Sequence, residues 1–206
     1  CALRASGAVT CWGYDGNGAS TTDRQFEWAV NGSIFYADGA GALTMNGNLV
    51  DTAATTMSFA GYGIGVVNGD ILQDLTAASN VTIKAGGGNG VWQFNGANTY
   101  AGVTTVAGGI LEFNTIGNVG SGPSSLGAPT TAANGTIVLS GGTLRFIGDM
   151  AQSTDRVLNV TGASGLQTTG SAPITFIGGI TEGGNTLTLG GNGQGERAHD
   201  RARRSQ

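Results

Sequence analysis

Few side chains in this chain of 206 residues are equipped for chemistry. The only histidine, His199, lies in a C-terminal run, GERAHDRARRSQ, that breaks the pattern of the rest of the chain, so neither a Ser/His/Asp triad nor a histidine metal site is expected. Among the 13 acidic residues, two loose pairs could be considered, Asp70 with Asp74 and Asp149 with Asp155. Paired carboxylates can cleave a glycosidic bond, one as acid and the other as base or nucleophile. Here both pairs sit beside turn residues and are read as outward, solvated groups. Asp15-Gly16-Asn17-Gly18 has the opening of a calcium loop without its remaining ligands, and reads as a turn after Trp12. Gly86-Gly87-Gly88-Asn89-Gly90 lacks the Lys-Ser/Thr and the helix that a phosphate loop requires. Cys1 and Cys11 form no Cys-x-x-Cys and are too few for a disulfide scaffold. No catalytic, cofactor-binding or metal-ligating residue is expected, and the chain is read as non-enzymatic with no cofactor.

The charge balance narrows the partners. Nine Lys and Arg stand against 13 Asp and Glu, for a formal net charge of -4. Lys84 is the only lysine, and Arg197, Arg201, Arg203 and Arg204 are confined to the last ten residues. So few cations suit neither nucleic acid nor an anionic membrane. No apolar run approaches the roughly 18 residues of a membrane helix. The chain opens in mid-motif with Cys1-Ala2-Leu3-Arg4, which reads as a piece of a longer product. Residues 194–206 read as a disordered basic tail arising from a frameshift, an expression scar or a gene end.

What would position any of these groups is strand. Glycine occurs 39 times and proline three times, without a Gly-x-y period, which excludes collagen and weakens any helix. Apolar residues alternate in short runs rich in β-branched and aromatic types: Val91–Phe94, Val103–Val106, Ile110–Phe113, Ile137–Leu139, Thr143–Phe146, Ile174–Ile177 and Thr186–Leu189. Residues 42–61 also align without a gap to 143–162, bringing Leu43 onto Leu144, Met45 onto Phe146, Leu49 onto Met150, Met57 onto Leu158 and Phe59 onto Val160. The alignment continues with VVNGDI at 66–71 on FIGGI at 176–180, and NVTIKAGGGNG at 80–90 on NTLTLGGNGQG at 185–195. So long a repeat of short strands exceeds one propeller blade and suits several coils of a parallel β-helix, with Gly and Asn at the corners and Asn side chains bonded along the axis. The expected fold is all-β: a right-handed parallel β-helix over 24–193, preceded by a β-hairpin in 1–23.

Between the duplicated halves, FNGANTYAGVTTVAGGILEF at 94–113 resembles the autotransporter-associated β-strand repeat, also described as the passenger-associated transport repeat. The matching positions are Phe94, Gly96, Asn98, Tyr100, Gly102, Thr104, Val106, Gly109 and Leu111. Lys84-Ala85-Gly86 with Gly90–Phe94 resembles the lead-in strand, and Gly141–Leu144 the strand that follows. The resemblance implies a secreted β-helix, the passenger of a type V secretion system, followed in the full-length protein by an outer-membrane β-barrel. It implies a cell-surface or extracellular location, a structural stalk that helps the passenger cross and fold outside the outer membrane, and an adhesin role with a host or glycan ligand. The motif itself reads as structural: the Tyr100 ring covers a coil end with its hydroxyl in water, and Asn98 closes a corner. The other reading kept open is a fragment of a β-helical enzyme acting on polysaccharide.

Residues 1–20, CALRASGAVTCWGYDGNGAS, are similar to one bacterial blade repeat of the regulator-of-chromosome-condensation type, which alone would suggest a glycan-binding propeller. One blade cannot close a propeller. A turn at Ser6-Gly7 would set Cys1 and Cys11 on adjacent strands, where a disulfide suits an exported protein; two unpaired thiols are the alternative.

Overall fold

A computed structural model describes residues 2–3, 9–10, 18–28, 32–53, 55–73, 80–85 and 90–191, with backbone only at 2–3, 9–10, 28 and 83–85. Cys1, Cys11, the Asp15–Asn17 turn, Asp74, the Gly86–Asn89 loop and the basic tail lie outside the described residues.

The alternating runs become rungs because one face of each can be buried while the other meets water, and neighbouring coils complete their backbone hydrogen bonds. β1 (Ala2–Leu3) and β2 (Val9–Thr10) pair antiparallel. β3 (Ser20–Thr22) and β4 (Phe26–Trp28) complete the first coil. The next coils are β5 (Ile34–Tyr36), β6 (Leu43–Met45) and β7 (Leu49–Asp51), then β8 (Thr56–Gly61), β9 (Ile64–Val67) and β10 (Ile71–Gln73). Two coils follow in which no third strand forms among the described residues: β11 (Asn80–Ala85) with β12 (Val91–Phe94), and β13 (Thr104–Gly108) with β14 (Ile110–Phe113). After β14 the chain leaves the stack over 114–136, an excursion that contains the short helix α1 (Ala132–Gly135). It returns as β15 (Ile137–Leu139), β16 (Thr143–Phe146) and β17 (Gln152–Thr154), then β18 (Leu158–Val160), β19 (Ser164–Thr168) and β20 (Ile174–Phe176), and closes with β21 (Ile180–Thr181) and β22 (Leu187–Gly191).

These strands stack into a nine-stranded sheet β1-β2-β5-β8-β11-β13-β15-β18-β21 and an eight-stranded sheet β22-β19-β16-β14-β12-β9-β6-β3. The third side carries two short sheets, β10-β7-β4 and β17-β20, with the excursion between them. Among the described residues every strand pair except β1–β2 is parallel, and the strands form a parallel β-solenoid. The strand expected at 103–106 runs over 104–108, and that at 186–189 over 187–191. β2 and β3 pair with β5 and β6, so the ladders take in residues 9–10 and 20–22.

Inward side chains line up in rows. Met45, Val67, Phe94, Phe113 and Phe146 stand in register on successive rungs of the eight-stranded sheet, all buried. The neighbouring row is Leu43, Gly65, Trp92, Leu111 and Leu144. A Cβ at Gly65 would collide with the Trp92 ring, so the missing side chain is the space that Trp92 fills. The Trp92 Nε1–H donates to Ala60 O at 3.1 Å, which satisfies its one polar atom.

The corner between the second and third faces explains much of the glycine. Asn46-Gly47, Asn68-Gly69 and Asn95-Gly96 occupy it in successive coils. The Asn46 side chain donates to Asp23 Oδ1, Asn68 to Asn46 Oδ1, and Asn95 to Asn68 Oδ1, at 2.8, 2.9 and 2.8 Å across separations of 23, 22 and 27 residues. The glycine beside each Asn lies directly on the coil below: a Cβ at Gly69 would fall on Gly47 O, and one at Gly96 on Gly69 O. Gly69→Ala should therefore lower stability by about 2 kcal/mol, since backbone cannot step aside as a side chain can. An unchanged urea midpoint would show that the coils are not in contact there.

The sequence duplication is half right. Residues 42–61 and 143–162 do occupy equivalent places, four coils apart: β6 and β16 share one sheet, β8 and β18 the other. Leu49 and Met150 are not equivalent, because Leu49 is buried on β7 whereas Met150 is 77% exposed ahead of β17. The later segments do not correspond either. Val66 and Val67 lie on the eight-stranded sheet but Phe176 on the third face, and β11 and β22 belong to different sheets. Every face of a solenoid shows the same alternation, so an apolar match cannot tell one face from another.

Candidate functional site

The conspicuous polar constellation lies where the third face has lost its strand. Asn98 forms a two-way backbone bridge with Ser124 of the excursion, N–H to O at 3.0 Å one way and 3.4 Å the other. Its side chain works in both axial directions: Oδ1 accepts from Ile71 N at 2.7 Å and Nδ2 donates to Ser125 O at 2.7 Å. One buried amide thus joins the coil behind to the excursion ahead, which a short planar group with both a donor and an acceptor can do.

Two residues on, the Tyr100 ring is wholly buried. Gly127, at φ +81°, packs where a Cβ would strike the Tyr100 carbonyl and ring, and Ala128 N donates to Tyr100 O at 2.9 Å. The expectation of a wet hydroxyl is wrong. The excursion covers the ring, and the Tyr100 Oη shares a 2.9 Å hydrogen bond with Thr104 Oγ1, itself buried on β13. Burial pushes the phenol up to about 12, although the Thr104 bond and the nearby Arg156 charge pull it back.

That shift has a pH consequence. The folded phenol holds its proton more tightly than the unfolded one, so its contribution is intact below pH 10 and is lost as pH rises through about 12. The loss should be on the order of 2 kcal/mol. Tyr100→Phe should remove this alkaline slope while costing about 1 kcal/mol at neutral pH for the lost bond to Thr104. Urea melts at neutral and alkaline pH would check both, and an equal slope in the two proteins would overturn the assignment.

Arg156, 1% exposed, is the residue that sequence reasoning missed. Its Nε donates to Gly135 O at 2.7 Å and its Nη1 to Leu126 O at 2.6 Å, both carbonyls of the excursion. Nη2 has no partner among the described residues. Desolvation lowers its pKa, with Tyr100 and Asp155 opposing. Nothing in the local sequence marked this arginine as buried, since it looks like any strand-flanking cation.

The rest of the excursion is fastened by side chains. Ile116 N donates to Gln152 Oε1 at 3.3 Å, Thr154 Oγ1 to Gly117 O at 2.9 Å, Val119 N to Asp155 Oδ1 at 2.8 Å, and Asp155 N to Asn118 Oδ1 at 3.0 Å. Residues 116–119 therefore lie along β17 as a strand would, with side chains making the bonds that a backbone ladder would otherwise make.

The remaining motif residues are spread along the coils. Phe94 ends β12 in the core, Gly96 takes the corner, and Gly102 is buried before β13. Val106 and Leu111 point inward, and Gly109 turns the chain at φ +63° between β13 and β14. The carboxylates are held as acceptors: Asp70 Oδ1 takes Ala97 N at 2.7 Å, Asp149 Oδ1 takes the Ser171 hydroxyl at 3.0 Å, and Asp155 takes Val119 N. Asp51, unremarked in the sequence, is buried and closes its turn on Ala53 N, Thr55 N and the Thr55 hydroxyl. Arg145 bridges Glu112 at 2.9 Å and Gln167 at 3.0 Å on the outer face of the eight-stranded sheet. Among the described residues no three His, Cys, Asp or Glu side chains gather to hold a metal, and no helix is long and apolar enough to cross a membrane.

The chain is similar to an adhesin autotransporter, BmaC, of Brucella suis biovar 1 (strain 1330), 33% identical over 161 residues that cover 70% of this chain. The chain spans about 5% of that relative's length. No family model matches the chain. No solved structure matches it.

Proposed function

We propose that the chain is a non-enzymatic length of β-helical stalk in a surface-displayed autotransporter passenger, serving adhesion. The observation that carries this reading is its similarity to an adhesin autotransporter over 70% of the chain, in a protein whose described residues wind as one continuous parallel solenoid. The polar constellation favours a structural role as well. Asn98, Tyr100, Thr104 and Arg156 are buried and directed at the excursion and neighbouring coils. The resemblance of 94–113 to a passenger-associated repeat fits the same picture, because those residues fasten one coil to the next. On this reading an outer-membrane β-barrel belongs to the full-length protein, and the ligand is a host or glycan surface.

The test is export. The chain is placed between a signal peptide and an outer-membrane β-barrel in a Gram-negative host, with cells scored for antibody labelling and attachment to host cells. Folded, protease-resistant material on the surface, with attachment above that of the barrel alone, is expected. Retention in the periplasm, or turnover of a polysaccharide by the purified chain, would defeat the reading.

A further inference from the structure

The Asn-Gly corner brings together the two groups of one well-defined reaction. In an Asn-Gly pair the glycine backbone nitrogen can attack the asparagine Cγ. A C–N bond forms, ammonia leaves, and a five-membered succinimide results. Water then opens the ring to aspartate or isoaspartate, leaving a new carboxylate. Glycine favours the step because no Cβ shields its nitrogen. Asn46-Gly47, Asn68-Gly69 and Asn95-Gly96 stack in this arrangement, with Asn46 and Asn68 exposed to the water that the reaction consumes.

The fold holds each pair in an unreactive geometry. Each side-chain amide is tied along the axis to the coil before it, ending on the Asp23 carboxylate. Asn95 Oδ1 also accepts from Gln93 Nε2 at 3.0 Å. Asn68 N and Gly69 N both donate to Met45 O, at 2.8 and 3.3 Å. The following residue is fixed as well: Asp70 N donates to Asn48 Oδ1 at 2.9 Å, and Ala97 N to Asp70 Oδ1. Gly69 and Gly96 rest on the carbonyl below, a contact that restricts movement of either glycine while the coils are stacked.

We propose that Asn46, Asn68 and Asn95 are latent deamidation sites that the axial ladder keeps closed and that local unwinding of a coil opens. Reaction at one rung breaks its tie to the rung before it. A carboxylate at position 68 would face Asn46 Oδ1, an acceptor, where the amide had donated. A carboxylate at position 46 would face the Asp23 carboxylate. Two acceptors cannot share a hydrogen bond, and like charges in contact repel. Each conversion therefore breaks the bond between its own rung and the one before, while the following amide keeps its acceptor, and the ladder acts as a fold-gated chemical clock.

The test uses the full chain, held in mildly alkaline buffer at body temperature, with peptide mapping for the mass gained when an amide becomes a carboxyl. Conversion at the three sites should be at least about tenfold slower in the folded chain than in the same chain unfolded in urea, because reaction must await local opening. In Asn68→Ala, verified as folded by circular dichroism, Asn95 loses its acceptor and should convert at least about threefold faster than in the unaltered chain. If that variant does not melt cooperatively, the same reading is taken at Asn46 in Asp23→Ala. A smaller folded-to-unfolded ratio, or a smaller rise in the folded variant, overturns the proposal.

Discussion

Leu111→Asp should unfold the middle of the solenoid. Leu111 is buried in the row between Trp92 and Leu144, with rungs in register on both sides. The substitution forfeits about 2 kcal/mol of apolar burial. It also places a carboxylate where no donor faces it, and the two costs together should reach about 5 kcal/mol. That is comparable to the whole stability of a modest domain, about 5–15 kcal/mol. Thr104→Ser makes the contrast. It keeps the hydroxyl that bonds Tyr100 and removes one methyl, so it should cost about 1 kcal/mol. Urea denaturation followed by far-ultraviolet circular dichroism would compare the two. Equal midpoints would mean that Leu111 does not face the core.

Arg156→Ala should release the excursion. The change strips Gly135 O and Leu126 O of their donors and leaves a cavity the size of a long side chain. Orphaned carbonyls and the void together should cost about 4 kcal/mol. Arg156→Met separates the causes. It fills much of the volume and removes a desolvated charge, so it should cost about half as much. Limited proteolysis distinguishes local from global loss: in Arg156→Ala, cleavage within 114–136 should precede cleavage of the rungs. If both variants melt like the unaltered chain and resist protease equally, Arg156 does not hold the excursion.

The rungs were legible in the sequence because burial on one face of a strand writes a period of two into the chain. Val91–Phe94, Ile110–Phe113 and Thr143–Phe146 appear as strands with those same ends. The assignment of rungs to faces was not legible, since VVNGDI and FIGGI share a pattern while lying on different sheets. The corner column was legible too: Asn-Gly at 46, 68 and 95 recurs at about one coil, a shorter period than the match of 42–61 to 143–162. The buried polar group was not. Its members come from residues 98–104, 124–135 and 156, and only the path of the excursion brings them together. Tyr100 was misjudged for the same reason, because nothing in its neighbours revealed that a later segment would cover it.

Glycine seated on the carbonyl below it at Gly69 and Gly96 makes each coil's place depend on its immediate neighbours alone. Length is then a free variable of the architecture. A whole coil inserted or lost between two such corners leaves the backbone contact at each surviving corner of the same kind, provided that matched neighbours such as Gly65 and Trp92 stay together. A part-coil change is tolerated only where the chain can loop off the stack, as it does over 114–136; within a rung it would rotate later residues onto a different face. Among the stacked rungs, size variation should therefore come in whole turns, and any other variation should fall in loops that leave the stack.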